Sequence, residues 1–166
     1  MLNLIVKGMG GQGAKTFVEL LAKAANYEDK FYLAYPEFGP ERSGTPINAY
    51  FKMNNNLIRD RSPIKFADYI VVLNKNLERI DSELKKQGVL VINSDNDKKY
   101  KFVDANKISK EIVGKLLPNI VMLGSFIKAT EILKLSSVEK AIYDSFSKEV
   151  AEINIKCLKE GYNNLK

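Results

Sequence analysis

Apolar residues recur in short runs, each followed by a helical or turn-like pattern. Residues 2–6 are almost continuously apolar, as in a parallel strand buried on both faces. Residues 16–25 then place Phe17, Leu20, Leu21 and Ala24 on one helical face. Residues 31–35 predict a second strand, stopped by Pro36. Residues 47–53 and 57–61 predict two further strands joined by a turn at Asn54-Asn55-Asn56, hence a hairpin. Strongly apolar strands are expected at 69–73 and 89–92. Between them Leu77, Ile80 and Leu84 share a helical face, with Lys85 and Lys86 in its last turn and Gly88 as its stop.

The second half reads more helical. A short strand is expected at 101–103 and a short helix at 108–113. Residues 119–133 are apolar nearly all round, so they predict a buried helix in which Gly124 lets a neighbour approach closely. Ser136 and Glu139 have capping-box spacing at the next helix start. Ile142, Phe146, Val150 and Ile153 mark one apolar face of a long C-terminal helix, and 161–166 predict a frayed tail. Strands alternating with helices, interrupted by one hairpin, predict an α/β fold. The expected form is a single domain over 1–166: a three-layer α/β/α, Rossmann-like arrangement around a mostly parallel, mixed sheet.

Composition narrows the chemistry. The chain has 166 residues, enough for one domain with a substantial core. No apolar run approaches the length of a membrane span. The N-terminus leads directly into a strand-like segment, so a cytoplasmic protein is expected. The net charge of +6 is spread along the chain: residues 1–70 carry 9 basic and 7 acidic side chains, residues 71–166 carry 17 and 13. Such mixing suits a solvated surface or acidic partners better than a nucleic-acid stripe. The chain has no histidine, which removes the commonest general base. Its one cysteine, Cys157, cannot by itself hold an iron–sulfur cluster, a zinc ion or a disulfide. It falls four residues after Ile153 on the apolar face and reads as a buried thiol. Tyr35, Tyr50 and Phe51 read as core or interface residues.

Candidate chemistry concentrates in two loops. Gly8, Gly10, Gly11, Gln12 and Gly13 stand between the first strand and the first helix. Such a turn exposes backbone N–H groups and aims a helix N-terminus at whatever sits above it, which favours a phosphate. Gly8, Gly10 and Gly13 match the dinucleotide spacing G-x-G-x-x-G, but the acidic residue wanted at the end of the second strand is replaced by Pro36-Glu37. Lys15 and Thr16 also resemble a P-loop ending, but Ala14 separates Gly13 from Lys15. A tight turn with no ligand explains the glycines as well. The second loop, 36–46, contains Glu41 and Arg42. Leaving the second strand, it is expected near the glycine turn. There Arg42 can pair with a phosphate or carboxylate and Glu41 can orient it, or the two form a rigid docking loop.

Several stretches in fixed order carry a resemblance. They are Gly10-Gly11-Gln12-Gly13-Ala14-Lys15, Pro36-Glu37-Phe38-Gly39-Pro40-Glu41-Arg42-Ser43-Gly44-Thr45-Pro46, Ile58-Arg59-Asp60-Arg61-Ser62, Ala67-Asp68-Tyr69-Ile70-Val71-Val72-Leu73, Gly88-Val89-Leu90-Val91-Ile92-Asn93-Ser94, Pro118-Asn119-Ile120-Val121-Met122-Leu123-Gly124 and Glu160-Gly161-Tyr162. Together they resemble the gamma subunit of 2-oxoacid:ferredoxin oxidoreductases over nearly the whole chain, and look most like the pyruvate branch.

The resemblance implies an enzyme of anaerobic metabolism that oxidatively decarboxylates a 2-oxoacid to an acyl-CoA and reduces ferredoxin. It implies alpha, beta and delta partner subunits that carry thiamine diphosphate, magnesium and the iron–sulfur clusters. The gamma-type chain supplies no catalytic residue on this reading. It contributes to assembly and to the coenzyme A side, with Gly8, Gly10, Gly11, Gln12, Gly13, Lys15, Thr16, Glu41 and Arg42 as candidate CoA-binding residues. Departures stand at Gly8-Met9, where more polar residues are expected, and at Ser43. The alternatives are the small chain of an indolepyruvate or 2-oxoglutarate oxidoreductase and a free-standing nucleotide- or CoA-binding module.

Overall fold

β1 (Leu2–Met9) runs up the centre of the sheet, and the chain leaves it in two directions. A computed structural model describes residues 1–37 and 44–166. After β1 come α1 (Ala14–Tyr27), β2 (Phe31–Pro36), β3 (Pro46–Asn54), β4 (Ala67–Val72), β5 (Leu84–Asn93) and β6 (Lys101–Val103). Four helices follow: α2 (Ala105–Val113), α3 (Pro118–Thr130), α4 (Leu135–Tyr143) and α5 (Lys148–Asn163).

The described strands form one sheet in the order β2-β3-β1-β4-β5-β6. β1, β4, β5 and β6 pair in parallel, whereas β3 pairs antiparallel with both β1 and β2. β3 is therefore the one strand of reversed direction, and the sheet is mixed and mostly parallel, as expected. The hairpin exists but is differently placed. It joins β2 to β3, while residues 57–61 form no strand.

Alternate residues along each strand feed two separate cores. Leu4, Val6, Phe51, Val71 and Val91 face the helices and join Phe17, Leu21, Leu123, Phe126 and Leu158 in the larger one. Ile5, Ile70, Val72, Leu90 and Ile92 form a smaller cluster on the other face with Ile64, Leu77, Ile80 and Tyr100. No helical residue takes part in that second cluster. The third layer is built from irregular chain at 55–66, 73–83 and 94–100.

The helix expected at 77–86 is accordingly absent. β5 already begins at Leu84, which pairs with Ala67 of β4. Gly88 lies in β5 where its register against β4 shifts, rather than at a helix stop, and a Cβ there would lie 2.6 Å from the Leu84 side chain and 2.9 Å from the Asp68 carbonyl oxygen. The irregular segments are instead pinned by two buried lysines. Lys7 Nζ donates to Glu83 Oε2 at 2.5 Å and to the Arg79 carbonyl at 3.2 Å. Lys52 Nζ, 2% exposed as a side chain, donates to Ser62 O at 2.7 Å and to Asp60 O and Oδ2 at 3.2 Å each.

Three C-terminal expectations are also corrected. The long helix is two helices, α4 and α5, and Val150 and Ile153 lie exposed on α5. α4 starts at Leu135 with Lys134 as its cap and no side-chain cap hydrogen bond, so Ser136 lies inside the helix and no capping box forms. Glu139 pairs with Lys159 instead. The tail is tied down: the backbones of Lys166 and Phe102 exchange two hydrogen bonds of 3.0 Å, which closes the free edge of β6. Cys157 is buried as expected, and burial raises its thiol pKa.

Candidate functional site at the carboxyl edge of the sheet

Chain order makes the gap between β1 and β4 the point where connections diverge. From β1 the chain crosses through α1 to β2 and β3 on one side, and β4, β5 and β6 lie on the other. Ligands of open α/β sheets bind outside the carboxyl ends of strands at such a point. The glycine turn, residues 10–13, stands on one bank and Asn74-Lys75-Asn76 on the other.

The turn is held internally. Gln12 folds its side chain back so that Oε1 accepts the Met9 N–H at 2.8 Å, while its own N–H donates to the Met9 carbonyl at 3.0 Å. Gln12 thus closes the turn. Gly8 is buried, and a Cβ there would press on Leu73 at 3.2 Å. The Gly10 N–H donates to the Thr45 carbonyl at 2.8 Å, which joins the end of the second loop to the glycine turn as the sequence led us to expect.

Gly11 and Gly13 have φ of 90° and 82°, values that cost an L side chain strain. They differ in surroundings. A Cβ on Gly11 would meet nothing within 4 Å among the described residues, whereas one on Gly13 would lie 2.3 Å from Asn119 Nδ2. Gly13 caps α1 without a side-chain acceptor, and α1 has no acidic residue in its first turn. Among the described residues, the first-turn N–H groups and the positive end of the helix dipole therefore face the edge unneutralised. Lys15 is exposed on the first turn and stands 3.9 Å from Glu19. Thr16 is half-buried and lines a cavity of about 220 Å³ with Leu117, Asn119, Phe146 and Cys157. Glu41 and Arg42 lie outside the described residues.

Beside the turn lies a polar cavity of about 440 Å³, bordered by Gln12, Asn74, Asn76, Asn93, Asp104 and Asn106. Sequence reasoning did not single it out. Its signal was present in the strand ends: β4 and β5 both lead into asparagine, where a magnesium-binding site wants an acid. Asn93 is 3% exposed and spends its amide on structure. Its Nδ2 donates to Leu73 O at 2.9 Å and Asn106 Oδ1 at 3.1 Å, and its Oδ1 accepts from the Ala105 N–H at 3.0 Å. The carboxylates are engaged too. Asp104 caps α2 through the Lys107 N–H, and Lys75 hydrogen-bonds Asp95 at 2.7 Å and holds that carboxyl below its ordinary pKa. Among the described residues no group of three or more His, Cys, Asp or Glu can hold a metal. The cavity offers hydrogen bonds and a helix terminus, which suits binding rather than proton transfer.

Residues 3–164 match the family model described as pyruvate ferredoxin/flavodoxin oxidoreductase. The chain is 38% identical to the pyruvate synthase subunit PorC of Methanocaldococcus jannaschii, over 99% of this chain and 97% of that one. It is 37% identical to the pyruvate/ketoisovalerate oxidoreductases common subunit gamma of Pyrococcus furiosus, over 98% and 96%. The crystal structure of pyruvate oxidoreductase subunit PORC from Thermotoga maritima superposes with a TM-score of 0.88 at 30% identity, covering 99% of this chain and 97% of that one. The fold also matches, with a TM-score of 0.84 at 16% identity, 30% of a chain of the 2-oxoglutarate:ferredoxin oxidoreductase from Magnetococcus marinus, solved with 2-oxoglutarate, coenzyme A and succinyl-CoA bound. On full-length sequence similarity and fold together, the chain belongs to the pyruvate ferredoxin/flavodoxin oxidoreductase family as a gamma-type subunit of a multi-subunit enzyme.

Proposed function

We propose that this subunit serves a pyruvate:ferredoxin oxidoreductase and carries part of the coenzyme A site of the assembly. The observation behind the CoA reading is the turn itself. Among the described residues, a backbone stretch around Gly11 that no side chain crowds lies beside an uncapped, unneutralised helix start and a polar cavity. A pyrophosphate fits those N–H groups, with Lys15, and Arg42 from the second loop, supplying positive charge. Coenzyme A supplies the thiol that accepts the acyl group. This chain's residues orient the anionic end and move no proton. Thiamine diphosphate, magnesium and the iron–sulfur clusters sit on the alpha, beta and delta partners in this scheme, ferredoxin is the electron acceptor, and the complex works in the cytoplasm.

The relatives support a division of labour over substrate. The Pyrococcus furiosus protein is named as a subunit common to pyruvate and ketoisovalerate oxidoreductases. A gamma chain shared between two oxoacids does not choose between them. By the same reasoning this chain is not the oxoacid selector of its own complex, and pyruvate specificity resides in its partners.

The test uses the assembled enzyme. Lys15→Ala and Arg42→Ala should each raise the apparent KM for coenzyme A several-fold and leave the KM for pyruvate unchanged. Unchanged CoA kinetics in both variants, with the complex intact, would remove the phosphate role.

A further inference from the structure

Arginine is scarce in this chain, and its placement is uneven. Arg42, Arg59, Arg61 and Arg79 stand against a lysine-dominated total of 26 basic residues. Arg59, Arg61 and Arg79 all belong to the irregular segments that cover the helix-free face of the sheet. All three are exposed, and none of their guanidinium groups has a hydrogen bond or ion pair among the described residues.

The chain spends unusual resources on holding them there. Lys52 of β3 and Lys7 of β1 point to the same face, since Lys52 lies opposite Asn3 and the side chains of residues 3, 5 and 7 share a face. Burying an ammonium is costly unless it is fully hydrogen-bonded. Each lysine here meets acceptors drawn from one irregular segment. Lys52 fixes Asp60 and Ser62, the residues that flank Arg61. Asp60 Oδ1 in turn accepts from Ser62 N–H at 2.9 Å and Oγ at 2.6 Å. Lys7 holds the carbonyl of Arg79, a residue with φ of 48°, a conformation that costs a non-glycine residue strain. Covering the sheet needs Ile64, Leu77 and Ile80, which are packed against it. It does not need an arginine backbone forced into the left-handed region. Two large apolar side chains in the same layer, Leu57 at 63% and Phe66 at 61% exposure, also face outward.

We propose that the helix-free face, through Arg59, Arg61 and Arg79 together with the exposed Leu57 and Phe66 of the same layer, is the surface by which this subunit docks onto an acidic patch of a partner chain of its oxidoreductase. The occupant follows from charge complementarity. Three exposed guanidinium groups without counter-ions among the described residues match carboxylates, which arginine engages in two-point contacts. Aromatic and aliphatic anchors among arginines are the composition of a protein interface. Asp60 adds no competing charge, because it is committed to Lys52 and Ser62. The inference rests on the chain working inside an assembly and is independent of where coenzyme A binds.

The experiment co-expresses the complete complex with a tagged gamma-type chain and measures recovery of the other subunits across a salt series. Arg59→Glu/Arg61→Glu, and the same pair with Arg79→Glu, should reduce partner recovery at physiological salt by at least about tenfold, while Arg59→Lys/Arg61→Lys retains most of it. Lys148→Glu/Lys156→Glu on exposed α5 matches the charge change on the helical face and should leave recovery unchanged. Circular dichroism and thermal melts of each tagged chain confirm an intact fold. Full recovery of folded reversal variants overturns the proposal, as does equal loss in the α5 control. Intact assembly with a raised KM for coenzyme A would also overturn it, by assigning the arginines to the small anion instead. Failure of the CoA reading appears elsewhere, as unchanged CoA kinetics in Lys15→Ala and Arg42→Ala.

Discussion

Gly124 of α3 and Gly161 of α5 set the crossing of their helices reciprocally. A Cβ on Gly124 would lie 1.9 Å from the Leu158 carbonyl oxygen, and one on Gly161 would lie 1.9 Å from that of Val121. Backbone meets backbone at both points, and Ser125 Oγ fastens the crossing by donating to Gly161 O at 2.7 Å. Val121 and Leu158, the residues met at the crossing, belong to the larger core.

Alanine at either position should therefore destabilise, although it improves intrinsic helix propensity by about 1 kcal/mol. Neither backbone can move aside as a side-chain tip would, so the helices must separate. Overpacking of this kind costs roughly 2–3 kcal/mol net. The thermal midpoint should fall by roughly 5–10 °C for a chain of this size. Gly124→Ala/Gly161→Ala should cost less than the sum of the single changes, because one separation serves both methyl groups. A melt unchanged in either single variant would contradict the crossing geometry.

Lys52→Met should act locally before it acts globally. The methionine fills the volume, but Ser62 O, Asp60 O and Asp60 Oδ2 lose the ammonium donor. Asp60 is half exposed, so its charge turns to water and is not stranded in the core. The expected loss is about 1–2 kcal/mol, below the cost of orphaning a fully buried ion. The larger effect should be on the 55–66 segment. Limited trypsin digestion should cut at Arg59 or Arg61 well before the rest of the chain is degraded, whereas the parent protein resists there. Equal protection of the two proteins would show that Lys52 is not the anchor.

These two sites differ in how much of them the sequence displays. The apolar strands 69–73 and 89–92, the helix after β1 and the close approach at Gly124 follow from periodicity and residue size alone. The helix expected from Leu77, Ile80 and Leu84 does not form, because their spacing only says that they share a face. Pairing of Leu84 with Ala67 and the grip of Lys7 on Glu83 place that face on irregular chain. Lysine reads as surface in any pattern argument, so the burial of Lys7 and Lys52 is invisible until the strands are aligned. Of the candidate site, the glycine turn and its contact with the loop ending at Thr45 were legible. The asparagine-lined cavity was not, because Asn93 works through partners just after β4 and on α2 that are 12 to 20 residues away.

Gly11 and Gly13 provide a paired test of the turn. Both have positive φ, so alanine at either should cost about 1–2 kcal/mol in backbone strain. Only Gly13→Ala should cost more, because its methyl group collides with Asn119. Asn119→Ala should recover the excess in the Gly13→Ala background and give no recovery with Gly11→Ala. Thermal melts of the four variants measure this directly. Equal costs at the two glycines would mean that Asn119 yields freely and the turn is less rigid than drawn.

Acid should loosen the helix-free face first. The Ser62 hydroxyl and N–H, aided by Lys52, hold the Asp60 pKa at about 2, and Lys99 and Tyr100 hold Asp81 at about 2. An unfolded aspartate titrates near 3.9, so both groups bind protons more weakly in the folded chain. Their stabilisation is fully present above about pH 4, declines as the pH falls through the window down to about 2, and is gone below it. The thermal midpoint should therefore drop between pH 4 and pH 2. Asp60→Asn and Asp81→Asn should each start lower and fall less steeply across that window, and the double variant should be flatter still. A slope unchanged by both substitutions would place the acid sensitivity in other carboxylates and leave these two as surface pairs of no consequence.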